Sequence, residues 1–63
     1  MRTLMTKKQV AALVHLHPEH VMRLARMGKF PKPIRVGDTD RHAVRFVAEE
    51  IDAWLQDRMA ARG

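Results

Sequence analysis

No cysteine occurs among the 63 residues, which rules out both a disulfide framework and a thiolate zinc site and is compatible with a reducing cytoplasm. Serine and tyrosine are missing too, and the lone hydroxyls are Thr3, Thr6 and Thr39. A hydroxyl nucleophile beside a matched base therefore has little material to draw on. No apolar run approaches the ~20 residues needed to span a bilayer. Met1 to Met5 lacks the apolar core of a secretory signal, so a cytoplasmic chain with no membrane partner is expected. Gly28 and Gly37 stand too far apart for a phosphate-binding loop. A chain of this length is expected to form a single domain over residues 1–63, close to the size limit for folding without staples. It leaves little room for an acid, a base and a small-molecule cleft, and the expectation is a protein that is not an enzyme and needs no cofactor.

The chain is rich in positive charge. Twelve Lys and Arg against seven Asp and Glu give a formal charge of +5, and the sequence pI is about 10.8, above the ~9 that flags nucleic-acid binders. Between Arg23 and Arg45 stand Arg23, Arg26, Lys29, Lys32, Arg35, Arg41 and Arg45, opposed only by Asp38 and Asp40. Glu49, Glu50, Asp52 and Asp57 fall in the C-terminal segment. Segregation of this kind predicts one cationic side, as a polyanion partner requires.

Three helices and a hairpin can be read along the chain. Thr6 with Gln9 fits a capping box, and Val10, Leu13 and Val14 give an apolar stripe for a helix over 7–14. His15 and Leu16 form a turn with Leu16 pointing inward. Pro18 suits the first position of a second helix, after His17 as a weak cap, and Glu19 complements its dipole. Val21, Leu24 and Ala25 supply its inner face, while Gly28, Pro31 and Pro33 end it. Ile34–Val36 and Ala43–Phe46 read as a two-stranded hairpin with Ile34, Val36, Val44 and Phe46 inward. A last helix over about 48–61 carries Ile51, Trp54, Leu55 and Met59 on one stripe. Trp54 and Phe46 read as core. The fold class expected is mainly α, a small winged helix-turn-helix ordered helix, helix, two-stranded wing, helix.

In a helix-turn-helix the second helix enters the major groove and its N-terminal residues meet base edges. The outward positions of helix 18–27 are Pro18, Glu19, His20, Arg23 and Arg26, with Met22 at the margin. Glu19 could accept from a cytosine amino group or simply stabilise the dipole. His20 could donate to a purine N7 or a phosphate, and Arg23 could hold a phosphate or a guanine. Arg35, Arg41, His42 and Arg45 decorate the hairpin, where wings meet phosphates or a minor groove. Lys7 and Lys8 open the first helix against the dipole preference, a cost that a bound phosphate would offset, and Thr6 before them is a further DNA-contact candidate. Lys32 completes the basic connector. His17 and His20 are three apart, but no carboxylate or cysteine stands at matching spacing, so no metal site is expected.

From Leu4 to about Arg62 the chain resembles the AlpA family of small phage and prophage regulators, akin to excisionases and to MerR-like winged-helix DNA-binding domains. The residues that carry the resemblance are Gly28-Lys29-Phe30-Pro31-Lys32-Pro33, the basic strand after it, and Ile51-Asp52-Ala53-Trp54-Leu55. The resemblance implies a second helix and wing that bind DNA. It also implies a role in activating integrase-gene transcription or in directing recombination toward excision. Where the family commonly has a cap serine this chain has His17. Met22 replaces a common tyrosine before the arginine, which is kept as Arg23, and Phe46 stands where tryptophan is common.

Two functional expectations follow. The first is a sequence-specific binder of double-stranded DNA, several copies side by side, since one such module covers only ~600–1,000 Å² of protein surface on DNA. The second keeps the fold but turns the helix or wing toward a protein, an integrase or another regulator, with Met22 and Met27 as adaptable contacts. The seven-to-two basic excess favours the first.

Overall fold

The first helix begins where a local hydrogen-bond exchange fixes it. In the computed structural model, which describes residues 1–38 and 43–62, the Thr6 hydroxyl accepts from the Gln9 amide at 3.1 Å. The Gln9 side chain in turn accepts from the Thr6 amide at 2.8 Å. This capping box opens α1, Lys7–Val14, by satisfying amides that the first turn leaves unpaired. The helix ends at His15, whose φ of 59° is left-handed. The Leu16 amide then reaches back to the Ala11 carbonyl at 2.9 Å, closing the last turn as glycine usually does.

Helix α2, Pro18–Arg26, starts on the expected proline. His17 is a working cap: its Nδ1 accepts from the Glu19 amide at 3.2 Å, which requires the ring tautomer with its hydrogen on Nε2. At the other end the Gly28 amide bonds the Ala25 carbonyl at 3.1 Å and the Lys29 amide bonds Leu24 at 2.9 Å. Gly28 has φ 76°. Those two bonds with a left-handed residue between them form a Schellman motif, and it aims the chain into the proline connector.

Helix α3, Ala48–Ala61, follows directly on a strand. The strands are β1 (Leu4–Met5), β2 (Ile34–Arg35) and β3 (Val44–Val47). They form a three-stranded antiparallel sheet in the order β1-β3-β2. The fold is thus three helices with a small sheet, mixed α and β. The expected hairpin of β2 and β3 is present, but the expectation of only two strands is corrected: β1 pairs with β3, Leu4 opposite Val47 and Met5 opposite Phe46. The Thr3 carbonyl accepts from Ala48 N at 2.7 Å, and the Glu49 carboxylate accepts from Thr3 N at 3.1 and 3.2 Å.

Val10 and Ala11 of α1, Val21 and Ala25 of α2, Phe30 of the connector, Phe46 of β3 and Ile51 of α3 form the core. Phe30 meets Phe46 edge-on with centroids 5.8 Å apart, and Trp54 at 4.7 Å. Leu24 and Leu55 pack against this cluster while staying half-buried. Trp54 does the same, so it lies at the margin of the core and not inside it.

Several expected inward residues face out. Ile34 and Val36 are each 46% exposed. Ile34 stands opposite Arg45 in the register, so strand alternation puts it on the face away from Phe46, and Val36 two residues on shares that face. Leu13 is 50% exposed. Buried Val10 and Ala11 with half-buried Val14 centre the inner face of α1, and Leu13 falls about 110° from that centre. Leu16 and Met59 are exposed as well, Leu16 because it follows a left-handed residue and Met59 because it lies beyond the part of α3 that the core reaches.

Candidate nucleic-acid interface

On α2 the buried residues Val21 and Ala25 define the inner side. At about 100° per residue, Arg23 points about 180° from the line midway between them. It is exposed, as are His20 and Arg26 to its two sides. These side chains stand on a helix held at both ends, by the His17 cap and the Gly28 motif, and pinned to α1 through the core. The ends are fixed, and among the described residues the side chains of His20, Arg23 and Arg26 make no hydrogen bond or ion pair, an arrangement suited to reading a groove with side chains.

The other candidates divide by what the structure does with them. Lys7 and Glu19, which open α1 and α2, meet across the helix pair with Nζ to Oε1 at 3.8 Å. A carboxylate thus occupies the place beside Lys7 where an anion was expected. Lys8 is exposed, and the Thr6 hydroxyl oxygen is engaged in its cap. Met22 is not an outward contact. It is half-buried, packs against the core, and lines an open groove of about 490 Å³ with Ala25, Arg26, Lys32 and Pro33. Met27 is exposed. Lys32 and Arg35 are exposed cations on the connector and β2. Arg45 is half-buried, and its Nη1 donates to the Val44 carbonyl at 2.7 Å, so its guanidinium is drawn back along β3. Arg41 and His42 lie outside the described residues.

The structure therefore groups Arg23, Arg26 and His20 on one helix face. It sets Lys32 beside Arg26 across the groove and joins Glu19 to Lys7. Two features escaped sequence reasoning. One is the Lys7–Glu19 pair, which no spacing rule reveals because its members belong to different helices. The other is the role of the single tryptophan. Trp54 Nε1 donates to the Lys29 carbonyl at 3.2 Å, and the Arg58 guanidinium lies 5.0 Å over its ring. Trp54 thereby ties α3 to the connector that carries Lys32. Its signal was present in the sequence, since a tryptophan at a core margin needs a partner for its N–H.

A family model described as "Uncharacterised protein" matches residues 1–62. The chain belongs to that family. Comparison with curated proteins and with solved structures gives no match. Among the described residues, no helix is long and apolar enough to cross a membrane.

Proposed function

We propose that this chain is a small winged helix-turn-helix protein that binds double-stranded DNA at specific sites. In this reading α1 and α2 are the helix-turn-helix, β2 and β3 the wing, and β1 a brace at the base of the wing. The setting is a phage, prophage or integrative element, in keeping with the resemblance to AlpA regulators. The role is transcription regulation, recombination directionality, or both through the same DNA contacts, inside the bacterial cytoplasm. The observation that carries the reading is the position of Arg23, opposite the buried face of a helix capped at both ends, with Arg26 and His20 at its flanks. The formal charge of +5 supports it.

The test is binding to a mixed-sequence duplex as salt is varied. Five exposed cations, Lys8, Arg23, Arg26, Lys32 and Arg35, meeting five phosphates predict a log–log slope of about −4.5, or an affinity loss of roughly 500-fold between about 50 and 200 mM salt. Arg23→Ala should weaken binding and, if it meets a phosphate, flatten the slope by about 0.9. Its melting temperature should stay within about 2 °C of the parent, as for an exposed side chain. No binding to any duplex at low salt removes the proposal.

One observation favours a protein partner as the second reading. Leu4, Ile34 and Val36 are exposed apolar side chains carried by or next to the two edge strands of the sheet. A protein that binds through this surface alone would show no steep salt dependence on DNA.

A further inference from the structure

The acid on the otherwise basic outer face of α2 calls for a reason. Glu19 is the one carboxylate of that helix. Its side chain is 69% exposed, and it sits in the first turn, the part of a recognition helix that approaches base edges. A carboxylate held near phosphates raises the energy of any DNA complex unless it meets a donor. The helix dipole favours an acid in this turn, but it sets no partner for the carboxylate. An ordinary helix partner was available in Arg23, four residues on, yet among the described residues Glu19 makes its ion pair with Lys7 of the other helix, at 3.8 Å. That separation is longer than a charge-assisted hydrogen bond. As a surface pair it adds little to stability. Against a bound duplex the ammonium would offset repulsion between Glu19 and phosphates, and among the described residues Arg23 makes no ion pair.

Resting on the DNA-binding reading above, we propose that Glu19 is a specificity-determining residue that selects a cytosine in the major groove, with Lys7 as its positioning residue. An ionised carboxylate only accepts hydrogen bonds. The amino donors in the major groove are cytosine N4 and adenine N6, and adenine sets its acceptor N7 beside the amino group, where it repels a carboxylate. Cytosine, which offers N4 alone on that edge, is the matching base. His17 strengthens the arrangement by capping the Glu19 amide, which fixes the backbone from which the side chain extends.

The experiment is repeated selection of bound duplexes from a random-sequence pool, run in parallel on the parent, Glu19→Gln, Glu19→Ala and Lys7→Gln. The parent should fix one position as C·G by about 5- to 150-fold over other pairs, the range of a good base contact. Glu19→Gln should move the preference at that position toward A·T, because an amide pairs with adenine N6 and N7. Glu19→Ala should flatten that position alone and raise affinity for mixed-sequence DNA several-fold, since a charge opposed to the phosphates is gone. Lys7→Gln should blur the same position without touching the others. An unchanged profile in Glu19→Gln and Glu19→Ala, with mixed-sequence binding intact, overturns the assignment to Glu19 and leaves the DNA-binding reading standing. A fall in melting temperature in Glu19→Ala with no change in base preference makes the residue a helix stabiliser and overturns the proposal in the same way. Failure of the parent to bind any duplex overturns both.

Discussion

Truncating Trp54 to alanine strikes the joint between α3 and the rest of the molecule, and the structure allows its cost to be worked out. The edge-on contact with Phe30 at 4.7 Å contributes about 0.5–1.5 kcal/mol beyond area. The Nε1 hydrogen bond to the Lys29 carbonyl contributes about 0.5–1.5 kcal/mol. The Arg58 guanidinium over the ring adds about 0.5 kcal/mol at an exposed site. Burial of most of a tryptophan, roughly 100 Å² of apolar surface at about 25 cal/mol per Å², adds about 2.5 kcal/mol before the gain in helix propensity from alanine is set against it. The net is about 3.5–5.5 kcal/mol, in line with the ~3–5 kcal/mol typical of truncating a buried ring. A domain of 63 residues has about 3–9 kcal/mol of stability in all. The melting temperature should thus fall by at least about 14 °C, or the variant should be unfolded at room temperature. Far-UV circular dichroism is the assay, because Trp54 is the only tryptophan and its removal takes the fluorescence signal with it. Trp54→Phe keeps the ring contact but not the hydrogen bond, and should recover more than half of the loss. An alanine variant melting within about 4 °C of the parent, less than 1 kcal/mol by the same scaling, would refute the reasoning, for α3 would then be held by Ile51, Leu55 and the bonds of Ala48 and Glu49 to Thr3 without help from the ring.

Two turn substitutions test the backbone directly by thermal melting. His15→Gly should raise stability by about 0.5–1 kcal/mol, because a residue with φ 59° is relieved of a left-handed strain that glycine does not feel. A drop in melting temperature would mean that the His15 side chain holds the turn. Gly28→Ala should lower stability by about 1–2 kcal/mol. Apart from its own backbone and its two chain neighbours, no described heavy atom lies within 4 Å of a Cβ placed at Gly28, so the cost is conformational and Gly28→Asn should recover part of it.

The helices were legible because their ends carry chemistry. Thr6 with Gln9, Pro18, and Gly28 ahead of Pro31 each state a boundary in one or two residues, and the structure places α1 and α2 within a residue of where they point; α3, whose N-cap Val47 makes no side-chain cap bond, was legible from its apolar stripe instead. The sheet was less legible. Leu4–Met5 is too short to show alternation, and its partner lies more than forty residues away, so nothing local announces β1. The face of β2 was misread for a related reason. Ile34 and Val36 alternate correctly, but alternation defines two faces without saying which is inner, and pairing with β3 decides that. His15 adopts a conformation usually left to glycine, with no sequence signal of it. Of the candidate interface, the outward placement of His20, Arg23 and Arg26 followed from helical period alone. The retraction of Arg45 and the joining of Lys7 to Glu19 arise from tertiary packing, which period does not encode.

The place of β3 in the middle of the sheet bears on how the chain reaches its final form during synthesis. Leu4 and Met5 are made before the helix pair, and their partners Phe46 and Val47 come only after it and the connector have been added. The α1–α2 pair uses contacts near in sequence and is free to form early, whereas bringing Thr3 to Ala48 requires closing a long loop. Until that happens the first strand waits with open backbone groups, and the same residues that later seal the sheet are the ones a neighbouring nascent chain could pair with. Closure of the sheet therefore waits on synthesis, since it joins a strand made before both α1 and α2 to one made after them.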